Sequence, residues 1–138
     1  MFRAGIGRVV INNELGTDIQ AAGHMRKVTR VRDDLEANAL WLESDGEGIL
    51  FISCDLVGLE ADFVQQVVPA IAAAADVPAE KVLIGCTHTH SGPAIVGPTH
   101  PDKPIDEAYL ERLTGWLCEI AREAVTSADA ARLAWGVG

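Results

Sequence analysis

Two histidines, His88 and His90, stand one residue apart in the run Thr87-His88-Thr89-His90-Ser91-Gly92-Pro93. Imidazole is the commonest metal ligand among side chains, and it titrates near neutral pH, so it also serves as a general acid or base. The run just before it, Val82-Leu83-Ile84-Gly85-Cys86, is short, apolar and rich in β-branched residues, which predicts a buried central strand. Gly92-Pro93 then stops regular structure. The histidines thus fall where a strand opens into a loop, the place where α/β proteins bind ligands. Residues two apart in extended backbone point to one side, so both rings are expected to face one pocket. A His-x-His pair can equally be two loop side chains bonded to backbone, because a catalytic zinc takes three protein ligands and keeps an open position.

The run Cys86-Thr87-His88-Thr89-His90-Ser91-Gly92-Pro93 resembles the Thr-His-Thr-His-(Ser/Ala)-Gly-Pro signature of the neutral/alkaline, non-lysosomal ceramidase family. Other stretches are similar to that family in the same order: the opening strand at residues 3–11, the Gly-rich loop with Gly16-Thr17 and Ala22-Gly23-His24, the second strand entry from Asp33 to Leu40, and Ile52-Ser53-Cys54-Asp55 closing the third strand. Asn12-Asn13 stands where family members carry Thr-Pro, Arg32 where many carry a histidine, and Ala94-Ile95 where a second glycine is usual. The resemblance implies a zinc-dependent hydrolase of linear amide bonds that cleaves the N-acyl bond of ceramide-like lipids. It assigns His88 as a zinc ligand and places His90 at the active site as a catalytic group, with Zn2+ as cofactor. The remaining ligands of the family, a second His, a Glu and a Tyr, come from later in its chain. The expectation is therefore a single α/β domain over residues 1–138, an N-terminal piece of a ceramidase-like catalytic domain that is inactive alone. The alternative is a truncated or split non-catalytic domain of such a hydrolase that acts only in binding or assembly.

The elements that must hold the histidines are legible from changes of hydrophobic period. Strands are expected at residues 6–11, 37–43, 49–54 and 82–87, and helices at 61–75 and 106–127. Ser44-Asp45-Gly46-Glu47-Gly48 signals a hairpin. Residues 12–32 read as a long polar loop without periodicity, and residues 94–104 as a Pro/Gly-rich loop carrying His100. Phe63, Val64, Val67, Val68, Ile71 and Ala75 form one helical stripe, which Pro69 should kink or split. Tyr109, Leu113, Trp116, Leu117, Ile120 and Ala124 form a second, with Asp106 as its N-cap. Residues 131–136 are expected as a last strand. The fold class is α/β: a mixed sheet with a βαβ unit and two long helices, part of a larger hydrolytic domain. Two helices cannot cover both faces of about five strands, so an exposed apolar patch is expected near the histidines, with self-association or association with a missing C-terminal part as its outcome.

Charge and composition narrow the partners. A formal net charge of −9 in 138 residues argues against nucleic acid and against charge-driven docking on anionic membranes. No segment reaches the ~18 consecutive apolar residues of a membrane span. Met1-Phe2-Arg3-Ala4-Gly5 lacks a leader pattern, so the chain as given reads as cytoplasmic, or as a mature or excised piece. Cys54, Cys86 and Cys118 are expected as buried free thiols, Cys86 having a minor reading as a metal ligand. Asp55 either holds an imidazole N–H or caps the following helix. His24 and His100 read as exposed loop histidines. Arg26, Lys27, Arg30 and Arg32 read as a solvated cluster, one member of which could meet a substrate oxygen. Ser91 lacks the glycine-flanked setting of a nucleophile elbow. Trp41, Trp116 and Trp135 are expected in the core.

Overall fold

The computed structural model describes residues 1–21, 24–97 and 105–137, so His100 and Ala22-Gly23 lie outside the described residues. In chain order the elements are β1 (Phe2–Val10), β2 (Asp18–Ala21), β3 (His24–Lys27), β4 (Glu36–Ser44), β5 (Glu47–Cys54), α1 (Ala61–Ala75), a 3-10 turn (Ala79–Lys81), β6 (Val82–Cys86), β7 (Gly92–Pro93), α2 (Glu107–Thr126) and β8 (Asp129–Ala130). A five-stranded mixed sheet has the order β6-β5-β4-β1-β8. β5 and β6 pair in parallel through α1, the expected βαβ unit, while β1, β4, β5 and β8 pair antiparallel. A smaller sheet, β3-β2-β7, ties the segment after the histidines to the chain's early part.

Alternation along the strands gives the large sheet one helix-covered face. Ala37, Ala39 and Trp41 of β4, and Leu50, Ile52 and Cys54 of β5, are buried beneath Leu113, Leu117, Ile120 and Ala124 of α2 and Val67 and Ile71 of α1. Gly5 and Gly7 of β1 make this packing possible. A Cβ at Gly5 would lie 2.0 Å from the Ala124 carbonyl oxygen, and one at Gly7 2.2 Å from that of Ile120. Tyr109 is fully buried and donates its hydroxyl to the Ile11 carbonyl at 2.6 Å, which pins the start of α2 to the end of β1. Asp106 caps α2 as expected, its carboxylate accepting the Tyr109 N–H at 2.9 Å. In the β4–β5 hairpin, Ser44 pairs Glu47 across Asp45 and Gly46, which have φ of 55° and 85°, as a tight two-residue turn between twisted strands requires.

Five expectations need correction. β6 is the edge strand of the sheet, not a central one, with Leu83 half exposed, because an all-apolar run looks the same whether or not a further strand lies beside it. Residues 12–32 hold the β2–β3 hairpin, which is too short to show a period. α1 is one uninterrupted helix through Pro69, whose ring is exposed, so the carbonyl it leaves unbonded can turn to water. Residues 131–137 form no strand, and β8 is only two residues. Trp135 is 87% exposed, whereas Trp41 is buried and Trp116 packs edge-on against Tyr109.

Candidate active site

The histidine segment grows out of the parallel end of the sheet. The Thr87 N–H donates to the Cys54 carbonyl and the His88 N–H to the Leu56 carbonyl, each at 3.0 Å, so the β5–β6 ladder continues two residues past β6. Asp55 locks three strand ends together. Its carboxylate accepts the Thr87 hydroxyl at 3.0 Å and the Glu36 N–H at 3.1 Å. Both expected roles of Asp55 are therefore replaced, since it bonds no imidazole in the described structure and the N-cap of α1 is Glu60. Glu60 in turn accepts the Gly97 N–H at 2.5 Å, drawing residues 94–97 toward the start of α1.

His88 adopts φ of 65°, in the left-handed region. That conformation costs an L-residue roughly 1–2 kcal/mol and collects at functional sites when the surroundings enforce it. Here the enforcing contacts are the Leu56 carbonyl on its N–H and the Val57 carbonyl 2.6 Å from its Nδ1. A carbonyl can only accept, so Nδ1 carries a proton, and in the neutral ring Nε2 then holds the lone pair; this is how ligating imidazoles are commonly oriented. The His90 ring lies 5.0 Å from that of His88, centroid to centroid, at 70°. The two rings share one place, although not by the two-residue period of a strand. The left-handed turn at His88 breaks the extended path and folds His90 back beside it.

Among the described residues no group of three His, Cys, Asp or Glu side chains is arranged to hold a metal ion. His24 belongs to β3, and its side chain is outside the described part. Cys86 is half-buried, and burial raises its pKa, which favours the thiol over the thiolate a metal needs. Cys54 is buried and its thiol is pushed up to about 12, chiefly by burial, while Cys118 is half-buried with its pKa also raised by burial.

Beside the histidine segment is a cavity of about 420 Å³, which sequence reasoning did not foresee because its walls come from four separate stretches, Ile19 of β2 among them. It is bounded by Asn12 and Asn13 after β1, by residues 27–35 and by Thr89 and Ser91. Lys27, Arg30 and Arg32 of the expected basic cluster line it together with Asp33 and Asp34. Lys27 pairs with Asp18 at 3.1 Å and Arg32 loosely with Asp33 at 3.5 Å, while Asp34 accepts from Asn12 at 2.7 Å. Ser91 is exposed, and its N–H donates to the Thr89 hydroxyl at 3.3 Å.

The fold, as distinct from the site, is similar to solved structures. The neutral ceramidase from Pseudomonas aeruginosa superposes with a TM-score of 0.76 at 18% identity, over 92% of this chain and 22% of that one. A ceramidase complexed with C2 matches equally well at 0.76 and 19% identity, over 92% of this chain and 21% of that one. The fold is similar to part of a neutral ceramidase. The chain spans about a fifth of the length of these ceramidases. No protein-family model matches it, and no curated protein is similar to it in sequence. No helix among the described residues is long and apolar enough to cross a membrane.

Proposed function

We propose that the chain forms the histidine-bearing part of a ceramidase-like hydrolase acting on linear amides of the N-acyl lipid class. The observation that carries this reading is the pair of adjacent rings, with the Nδ1 of His88 held by the Val57 carbonyl and its Nε2 without a partner among the described residues, at the strand end of a ceramidase-like fold. His88 would hold zinc through Nε2, as one member of a ligand set that further residues would complete. Zinc supplies Lewis acidity toward an amide carbonyl and brings a bound water's pKa to ~7. His90, beside it, would orient the amide or stabilise the developing oxyanion. The cavity lined by Thr89, Ser91 and Arg30 would receive the polar end of the substrate. The incomplete ligand set supports a second reading, a non-catalytic domain that serves only in assembly.

The test is histidine-ring NMR of the whole 138-residue chain during zinc titration. His88 is expected to show the Nδ1–H tautomer in the free state, and its Nε2 resonance to move first as zinc is added. His88→Ala should abolish the titration, and His90→Ala should weaken it. Zinc bound with unchanged affinity by His88→Ala would remove His88 from the site.

A further inference from the structure

The wall of the cavity beside the histidines holds a buried polar atom that no described residue satisfies. Asn13 lines this cavity and is 7% exposed. Its Nδ2 reaches only the Thr17 hydroxyl, at 3.4 Å. That hydroxyl donates its own proton to the Glu14 carbonyl at 2.6 Å, so toward Asn13 it can only accept. The side-chain amide is thereby oriented, with Nδ2 toward Thr17 and Oδ1 left without a partner among the described residues. Asn12, next to it, is the contrast: its Oδ1 accepts the Leu35 N–H at 2.8 Å and its Nδ2 donates to Asp34 at 2.7 Å. Buried polar atoms are as a rule hydrogen-bonded, because an unmade bond leaves the whole cost of desolvation. What reaches the Asn13 Oδ1 enters by the cavity, and it must bring an N–H or O–H.

The cations of the cavity add a second requirement. Lys27 is matched by Asp18 at 3.1 Å and Arg32 by Asp33 at 3.5 Å. Arg30 lines the same cavity, is exposed, and has no acidic partner among the described residues. A guanidinium presents its donors as a planar fork that fits a carboxylate at two points. Asp33 and Asp34 stand in the same wall and repel a doubly charged phosphate monoester, so a single negative charge suits the cavity. Thr89, between the two histidines in the chain, also lines it, so a ligand held there borders His88 and His90. We propose that this cavity binds N-acyl amino acids, with the carboxylate of the amine half on Arg30 and the amide N–H donated to the Asn13 Oδ1. In such a molecule one carbon separates the N–H from the carboxylate, so one small ligand meets both needs. An amine half that carries hydroxyls and no carboxylate leaves Arg30 unused. The inference rests on the hydrolase reading for the fate of the amide, but binding itself needs no zinc.

The experiment is a ¹H–¹⁵N NMR titration of the 138-residue chain, without zinc, by three soluble amides. N-hexanoylglycine should bind saturably and move the side-chain signals of Asn13 and Arg30. N-hexanoylethanolamine lacks the carboxylate and N-hexanoylsarcosine lacks the amide N–H, and each should bind at least about ten-fold more weakly. Arg30→Gln should erase the preference over the ethanolamide, and Asn13→Ala the preference over the sarcosine amide. Arg26→Gln, at an exposed cation outside the cavity lining, should change neither. Arg30 is exposed, so Arg30→Gln carries the comparison if Asn13→Ala fails to fold. Equal binding of the glycine and ethanolamine amides, no saturable binding by any of the three, or tighter binding of hexyl phosphate overturns the proposal. Preserved binding of N-hexanoylglycine in a chain that takes up no zinc overturns the hydrolase reading and leaves this one standing.

Discussion

At residue scale the motif was legible and its conformation was not. The types and spacing of His88 and His90 announce ligand or acid–base chemistry, but nothing in the sequence announces that a non-glycine residue takes φ of 65°. The enforcing partners, the carbonyls of Leu56 and Val57, are backbone groups more than thirty residues away. Two effects at His88 can be separated by substitution. Alanine and glycine both remove the ring and its bond to Val57, but only alanine keeps a Cβ in the left-handed region. His88→Gly should therefore be more stable than His88→Ala by about 1 kcal/mol in urea unfolding; equal stabilities would mean the turn relaxes once the ring is gone. The buried thiol of Cys54 makes a second prediction. Burial, with smaller contributions from Cys86 and Asp55, raises its pKa to about 12. The unfolded chain releases that proton near pH 8.5–9, so between about pH 9 and 12 the folded state holds more protons and stability falls as pH rises. Cys86, Cys118 and Tyr109, whose pKa values burial also raises, add to this slope in both proteins. Cys54→Ala should nevertheless be less steep than wild type, by up to ~1.4 kcal/mol per pH unit, in denaturant titrations at pH 9 and 10.

At element scale the long periodic segments declared themselves and the short ones did not. α1 and α2 follow from their apolar stripes, and the β4–β5 hairpin from two apolar runs around Asp45-Gly46. β2, β3, β7 and β8 are two to four residues each, held by pairing partners that no local pattern reveals. The two glycines of β1 are the instructive case. Gly5 and Gly7 look like weaknesses in a strand, since glycine loses backbone entropy and packs no side chain. In three dimensions they are where the backbone of α2 touches the sheet. The residues they meet, Ala124 for Gly5 and Ile120 for Gly7, are far away in sequence, so their meaning could not be read locally. Gly7→Ala must push α2 off β1 and should destabilise by at least ~1–3 kcal/mol, the usual cost of overpacking. Gly115, inside α2, has open space where a Cβ would go. Gly115→Ala should stabilise by about 0.5–1 kcal/mol through helix propensity alone. Thermal unfolding of the two variants should shift in opposite directions. A harmless Gly7→Ala would mean the contact between α2 and β1 is looser than the packing requires.

At the scale of the whole molecule the sequence and the structure meet on a shortage. Counting helices against strands predicted a sheet face without cover, and the Ile6–Leu40–Phe51–Leu83 row is that face. The same shortage holds at the candidate site, where two imidazoles stand together and no third ligand joins them among the described residues. The apolar row crosses the sheet at Leu83, near the start of β6, and the histidines follow the end of the same strand. Catalysis by a hydrolytic zinc centre needs its full ligand geometry, because the protein fixes coordination and a dry, shaped cavity around the reacting carbonyl. Under the proposed reading, two imidazoles alone supply neither. The 138-residue chain alone is therefore expected to show no zinc-dependent hydrolysis of a fluorogenic ceramide analogue above buffer, and His88→Ala should change nothing in that assay. The measurement is initial rate across a zinc series, with the oligomeric state of the same sample determined by light scattering. Zinc-dependent turnover by a monodisperse monomer, abolished in His88→Ala, would show instead that this domain assembles a complete centre from its own residues.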